Sequence, residues 1–318
     1  MNDLAVLGAG AWGTALAIQA LRAGNQVVLW ARDPARAQLI AHSRHNPRLP
    51  GIRLPDEISV TSDIPKASII LLATPMQFLG SVAARLQAPG KLVACCKGVE
   101  TDTLKLPLEV LADLHPGVPL AILTGPNFAE EIASGKPAAS VIAATGPALR
   151  EEIAARLATP GFRLYGNDDP IGAQLGAAAK NVIAIAAGVV IGARLGENAR
   201  AGLITRGLAE LARLSTALGG KRETVMGLSG LGDLVLTCTG EASRNFTLGV
   251  ALGRGESLAA VLAARTTVTE GVATAPALVA RASTLDLPIC SAVAAILQGR
   301  STPGEAVASV LARPRRDE

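Results

Sequence analysis

The chain has 318 residues, enough for two domains with separate cores, because a single core stops growing at roughly 250–300 residues. Hydrophobic residues make up 49% and charged residues only 18%, the balance of a folded, closely packed protein. Aromatics at 2% leave almost nothing on which bases could stack, which argues against a nucleic-acid partner, and the net charge of +4 is spread along the chain, fitting an anionic small molecule or an evenly solvated surface.

The first apolar run, Leu4 to Leu7, reads as a strand, and Gly8, Gly10 and Gly13 follow it directly. The opening segment is apolar enough to imitate a signal peptide. Asp3 stands where a basic region would be, however, and the glycine spacing accounts for the segment better. A helix over Trp12 to Ala23, ended by Gly24, leads to a second strand at Val27 to Trp30. In that setting the three glycines permit a tight turn, close approach of the backbone to a pyrophosphate, and close packing of helix on sheet. The end of the second strand meets the adenosine ribose in such folds. A carboxylate there would bind the 2′-hydroxyl of NAD, but Arg32 occupies the place, and an arginine accommodates a 2′-phosphate. NADPH is the preferred cofactor on this reading; NADH stays open because Asp33 is next in line.

A helix over Pro34 to His42 follows, then apolar runs at Ile69 to Ala73, Leu92 to Cys96, Leu120 to Leu123 and Ser140 to Ala144. They hardly alternate, so they read as strands buried on both faces. With helices at Gln77 to Leu86 and Leu149 to Ala158 between them, they give the βαβ rhythm of a doubly wound parallel sheet, a Rossmann-type domain over residues 1–168. Two loops fall at strand C-termini, the edge where such sheets bind ligands: Ala73-Thr74-Pro75, and Lys97-Gly98-Val99-Glu100. Lys97 is either a site lysine or a loop lysine in solvent. The four cysteines, Cys95, Cys96, Cys238 and Cys290, have no metal-ligand spacing and read as reduced, buried thiols of a cytoplasmic protein without a metal.

After about residue 166 the rhythm changes. Asn167, Asp168, Asp169 and Pro170 form a helix start signal, and the rest reads as an all-helical substrate and catalytic domain over 169–318. Its helices are expected at Ile171 to Ala193, Ala199 to Leu218, Thr247 to Leu252, Leu258 to Ala263, Ala275 to Thr284, Ser291 to Leu297 and Gly304 to Ala312, before a solvated tail at 313–318. The first of these could span a bilayer by length, but it is rich in Ala and Gly, carries Lys180 and Asn181, and has no aromatic belt, so a buried core helix is expected and no membrane span. Lys180 is its only charged residue, in a chain with 7 lysines against 23 arginines. A lysine in apolar surroundings either pairs and shifts its proton affinity, as acid/base catalysis needs, or snorkels to water.

Six segments then make the chain recognisable: GAGAWGTALA (8–17), CKGVE (96–100), LTGPNFAEEI (123–132), LGAAAKNVIAIAAG (175–188), GLSGLGDLVLTCTGEASRN (227–245) and VTEGV (268–272). In this order, over essentially the whole chain, they resemble the NAD(P)-dependent glycerol-3-phosphate dehydrogenases of the bacterial type. The resemblance implies reversible reduction of dihydroxyacetone phosphate to sn-glycerol 3-phosphate for phospholipid synthesis. It also implies Lys180 as the catalytic acid/base, with Lys97, Gly125, Asn127, Asp233, Ser243, Arg244 and Asn245 on the small phosphorylated substrate. Gly8, Gly10, Ala11, Trp12, Gly13, Arg32, Lys97, Ala129, Arg244, Val268 and Glu270 are implied on the cofactor. Two departures touch substrate positioning: HNPRLPG (45–51) lacks a tyrosine often found before its LPG, and Asn127 replaces a more usual serine-like residue.

The residues fit that chemistry by themselves. Hydride addition to a ketone puts negative charge on its oxygen, which calls for a cationic proton donor and a polarising neighbour, roles open to Lys180 and Lys97. Asp233 could pair with a lysine or sit in a turn; Arg244 offers a planar fork for phosphate or a surface charge. A 6-phosphogluconate, hydroxyacid or ketopantoate enzyme of the same architecture is the nearest rival, and the SRN segment separates them. A non-catalytic NADP(H) sensor would need the glycines but not both lysines with Asp233. A homodimer is compatible with all of these readings.

Overall fold

The computed structural model describes residues 2–265 and 268–313, so the expected solvated tail beyond Arg313 lies outside the described residues. The chain divides into two compact units, residues 1–97 with 106–173 and residues 98–105 with 174–318. Rhythm alone assigns residues 98–105 to the first domain. They pack in the second unit, where Arg281 donates to the Leu104 carbonyl oxygen at 2.6 Å.

The first unit holds β1 (Asn2–Leu7), α1 (Ala11–Arg22), β2 (Val27–Trp30), α2 (Pro34–Ser43), β3 (Ser59–Thr61), β4 (Ala67–Leu72), α3 (Leu79–Ala83), β5 (Lys91–Ala94), α4 (Pro107–Leu114), β6 (Leu120–Thr124), α5 (Ala129–Ala133), β7 (Ala138–Ala143), α6 (Pro147–Leu157) and β8 (Phe162–Asn167). The strands form one eight-stranded sheet in the order β3-β2-β1-β4-β5-β6-β7-β8. Leu4, Ala5, Val6 and Leu7 of β1 are fully buried, as central strands covered on both faces must be. The order reverses between β1 and β4, and the crevice outside the C-terminal ends of those strands is the topological switch point of this sheet.

The doubly wound sheet is parallel at every pairing but one: β7 runs antiparallel to β6, and β8 pairs parallel with β7. The β6–β7 link carries only the five-residue α5 in place of a full crossover helix, and the chain returns in the opposite direction. Strands β3 and β8 escape the reading of apolar runs because they lie at the sheet edges, where β8 alternates buried Phe162 with exposed Arg163 and Tyr165.

From α7 (Pro170–Gly192) onward the chain is helical: α8 (Glu197–Ala217), α9 (Arg222–Met226), a π-helical turn (Leu228–Gly232), α10 (Asp233–Thr239), α11 (Arg244–Gly253), α12 (Leu258–Ala263), α13 (Glu270–Ala282), α14 (Pro288–Leu297) and α15 (Pro303–Leu311). Helix α13 starts five residues earlier than expected and holds Pro276 in its interior. The start signal of α7 works as read: Asp169 accepts from the Gly172 N–H at 2.8 Å, and Asn167 accepts from the Asp169 N–H at 2.7 Å. By length and composition α7 could cross a membrane, yet 89% of its most apolar window is buried inside the protein.

Glycines set how tightly this unit packs. A Cβ on Gly188 of α7 would stand 2.1 Å from the Phe246 carbonyl oxygen, and one on Gly249 of α11 would stand 2.0 Å from that of Ile185. Gly192 and Gly253 repeat the contact one turn on. Backbone therefore lies on backbone where α7 crosses α11, the small-xxx-small geometry that only glycine allows at such a separation. Gly176, one turn before Lys180, admits the π-helical turn in the same way, with its Cβ position 2.4 Å from the Ser229 carbonyl oxygen.

Candidate active site

At the switch point of the first unit the three glycines of the turn have three different surroundings. Gly8 has φ +120°, and a Cβ there would meet the Ala73 carbonyl oxygen at 2.7 Å, so the turn after β1 is pressed against the loop after β4. A Cβ on Gly13 would fall 1.9 Å from the Gly8 carbonyl oxygen, which is the price of seating α1 directly on the turn. Gly10, between them, has no described residue but its own chain neighbours within 4 Å of its Cβ position. Protein packing explains Gly8 and Gly13; Gly10 keeps clear the space over the N-terminus of α1, where a pyrophosphate fits. Gly10 itself offers α1 no side-chain cap. Asn46 braces the turn by donating to the Ala9 carbonyl oxygen at 3.1 Å and to the Thr14 hydroxyl at 2.6 Å, and Arg36 donates to the same carbonyl. Ala11 and Trp12 begin α1, and the buried Trp12 Nε1 and Thr74 Oγ1 make no hydrogen bond among the described residues. A cradle kept open by Gly10 and two orphaned polar atoms near it fit a bound dinucleotide.

At the end of β2, Arg32 is exposed and lies over the Phe78 ring, 5.2 Å from its centroid. Asp33 is engaged elsewhere: its Oδ1 accepts from the Ala35 N–H at 3.1 Å and caps α2. Further along the same sheet edge, Lys97 Nζ donates to the Gly125 carbonyl oxygen at 3.2 Å. Gly125 has φ +147° and lies against Ser140 of β7, while Asn127 donates to the Ser140 hydroxyl. The other end of that amide, Asn127 Oδ1, is buried without a hydrogen-bond partner among the described residues. Ala129 opens α5.

In the second unit Lys180 is only 8% exposed, and Asp233 only 1%. Lys180 Nζ donates to Asp233 Oδ1 and to Thr237 Oγ1, both at 2.8 Å. Thr237 in turn donates to the Asp233 carbonyl oxygen at 2.6 Å, one turn back along α10. Removing either charge of such a buried pair strands the other, so the pair fixes the ammonium in place. Beside it, burial pushes the Cys238 thiol up to about 12 against the opposing pull of Lys180, so the sulfur stays uncharged.

The SRN segment begins α11. Ser243 caps the helix by accepting from the Phe246 N–H at 3.2 Å, Arg244 is exposed at the first helical position, and Asn245 is buried. Asn245 Nδ2 donates to Asn181 Oδ1 at 2.9 Å, and its Oδ1 accepts from the Gly271 N–H at 3.1 Å. Val268 is 49% exposed ahead of α13, and Glu270 is the first residue of that helix.

The structure thus joins Lys180 to Asp233, and Lys97 to the Gly125 and Asn127 loop. Thr237, Asn181 and the bracing pair Arg36 and Asn46 were not singled out as functional from sequence. Thr237 had a usable signal, its four-residue spacing from Asp233, which becomes one helical turn once α10 is assigned.

A doubly wound sheet with a glycine turn at its switch point, in one chain with a helical unit burying a lysine on a carboxylate, defines a dehydrogenase that uses a nicotinamide dinucleotide. The chain belongs to the NAD-dependent glycerol-3-phosphate dehydrogenase family: the family's N-terminal model matches residues 3–159 and its C-terminal model residues 169–308. It is 54% identical to glycerol-3-phosphate dehydrogenase [NAD(P)+] of Acidiphilium cryptum over 99% of this chain and 98% of that one. The Gluconobacter oxydans protein of the same name is 50% identical, covering 98% of this chain and 97% of its own. The crystal structure of glycerol-3-phosphate dehydrogenase from Coxiella burnetii matches with TM-score 0.94 at 36% identity, over 98% of this chain and 99% of that one.

Proposed function

We propose that this chain catalyses the reversible NAD(P)H-dependent reduction of dihydroxyacetone phosphate to sn-glycerol 3-phosphate, preferring NADPH, in the cytoplasm and in support of phospholipid synthesis. The observation that carries the reading is the buried Lys180 ammonium held by Asp233 and Thr237 in a chain of this family. The first unit is the dinucleotide-binding domain, with Gly8, Gly10, Ala11, Trp12, Gly13 and Arg32 on the cofactor, joined by Lys97, Ala129, Arg244, Val268 and Glu270. When bound, the reduced nicotinamide supplies a hydride to the carbonyl carbon. Lys180 supplies the matching proton to the carbonyl oxygen, and in the reverse direction takes it from the hydroxyl. Asp233 and Thr237 hold the Lys180 Nζ at a fixed point, so no reorientation is needed as charge develops. The same reading gives Lys97 the role of polarising group, with Gly125 and Asn127 as substrate residues of the first unit.

The substrate phosphate is assigned to Arg244, with Ser243 and Asn245 alongside. Arg244 is exposed at the first position of the ten-residue α11, where a guanidinium and the backbone N–H groups of a helix N-terminus, Asn245 among them, suit a phosphate. The test follows reduced nicotinamide absorbance with dihydroxyacetone phosphate and with dihydroxyacetone. Charge-assisted hydrogen bonds contribute about 1.5–3 kcal/mol each, so Arg244→Ala should cut kcat/KM roughly 10- to 150-fold more for the phosphorylated ketone than for dihydroxyacetone, any loss of its cofactor contact being common to both. An equal loss for both ketones would remove Arg244 from the phosphate.

A further inference from the structure

Asn245 does something that its neighbours in the SRN segment do not. Both ends of its side chain are used inside the second unit: the amide nitrogen donates to Asn181, the residue after Lys180, and the oxygen accepts from the backbone of Gly271, in the first turn of α13. The fit at Gly271 is close, since a Cβ there would stand 2.7 Å from Asn245 Oδ1 and 3.0 Å from the Asn181 carbonyl oxygen. Arg265, which follows α12, links α11 to the start of α13, donating to the Arg244 carbonyl oxygen at 2.7 Å, to the Thr247 hydroxyl at 3.1 Å and to the Thr269 hydroxyl at 3.4 Å. One buried amide therefore touches the helix that carries Lys180 and the first turn of the helix that Glu270 opens, just after Val268.

We infer that the Asn245 side chain is a positioning residue, which fixes the segment from Val268 to Gly271 in register with the Asn181 turn of α7 and so sets the cofactor-contacting loop and the Lys180 site from a single group. The inference rests on the reading of Val268 and Glu270 as cofactor contacts. It gives Asn245 two roles by atom: its backbone N–H serves the phosphate, and its side chain serves the scaffold. The amide is suited to this because it donates at one end and accepts at the other, whereas a carboxylate accepts only.

Three variants separate the possibilities: Asn245→Ala, Asn245→Asp and Glu270→Ala. Three readings are taken: amide hydrogen exchange over residues 268–272 of the nucleotide-free protein, the Kd for NADPH by fluorescence without substrate, and steady-state kinetics with dihydroxyacetone phosphate and dihydroxyacetone. Asn245→Ala should speed exchange over that segment and weaken NADPH by roughly tenfold, the scale of one hydrogen bond. It should leave the preference for dihydroxyacetone phosphate over dihydroxyacetone unchanged. Asn245→Asp still accepts from the Gly271 N–H, so it should restore both exchange and NADPH binding, whereas kcat should be lowered in both Asn245 variants because donation to Asn181 is gone in each. Unchanged exchange in Asn245→Ala, or equally fast exchange in both Asn245 variants, overturns the positioning role. If Glu270→Ala weakens NADPH but Asn245→Ala does not, the link from Asn245 to the cofactor loop is overturned. If Glu270→Ala leaves NADPH binding intact, the loop reading itself falls, and the inference with it.

Discussion

Asp233 and Thr237 determine what Lys180 can do. Without them a lysine inside α7 would have to reach water or lose its charge; with them the ammonium sits 2.8 Å from each of two oxygens. A different residue-level choice governs the cofactor. The sequence prefers NADPH on Arg32 and keeps NADH possible because Asp33 is one position away. Asp33 is occupied in capping α2, while Arg32 is exposed at the end of β2. Arg32→Asp should therefore lower the ratio of kcat/KM for NADPH over NADH by about tenfold or more, the worth of one charge-assisted contact. Steady-state kinetics with both nucleotides reads this directly, and an unchanged ratio would free the 2′-phosphate from Arg32.

At the scale of elements, two packing arrangements make testable statements. Gly249→Ala puts a methyl group 2.0 Å from the Ile185 carbonyl oxygen, so α7 and α11 must separate. Overpacking of this kind costs about 1–3 kcal/mol. The same change at Gly202 of α8, where nothing lies within 4 Å, should stabilise by about 0.5–1 kcal/mol through helix propensity. Chemical denaturation of the two variants should move in opposite directions, and parallel shifts would refute the crossing. The second arrangement is Glu210 of α8, buried and accepting from the Ile289 N–H at 2.7 Å and the Cys290 N–H at 3.2 Å, which caps α14 in place of Leu287. Burial raises its pKa, against the pull of those two N–H groups. A carboxyl held more tightly protonated in the folded state contributes fully at pH below its unfolded value. Its contribution falls as pH rises through the window up to the raised folded value. Unfolding free energy measured across that window should decline for the native chain relative to Glu210→Gln, and parallel profiles would contradict the raised value.

For the whole molecule, much of the fold could be read from the sequence because its signals are local. The strands β1, β2, β4, β5, β6 and β7 each contain a short, mostly apolar run, and the α7 start signal lies within four residues. The reversal at β7 and the edge strands depend on connection geometry and on half-exposed faces, which single runs do not report. Lys180 stood out as a charge in an apolar helix. Thr237 did not, because LVLTCT reads as readily as a buried strand as it does as α10. The partners of Asn245 lie 64 and 26 positions away, brought together by a glycine-permitted helix crossing that no local pattern announces. The resulting account divides labour between the units, nucleotide on the glycine turn of the first and proton transfer at Lys180 of the second. The most direct test is Lys180→Ala, with NADPH binding and turnover of dihydroxyacetone phosphate measured on the same preparation. The account predicts native-like NADPH affinity with turnover reduced by about 10²- to 10⁴-fold, the usual contribution of a positioned acid/base. Turnover close to that of the native chain would contradict it.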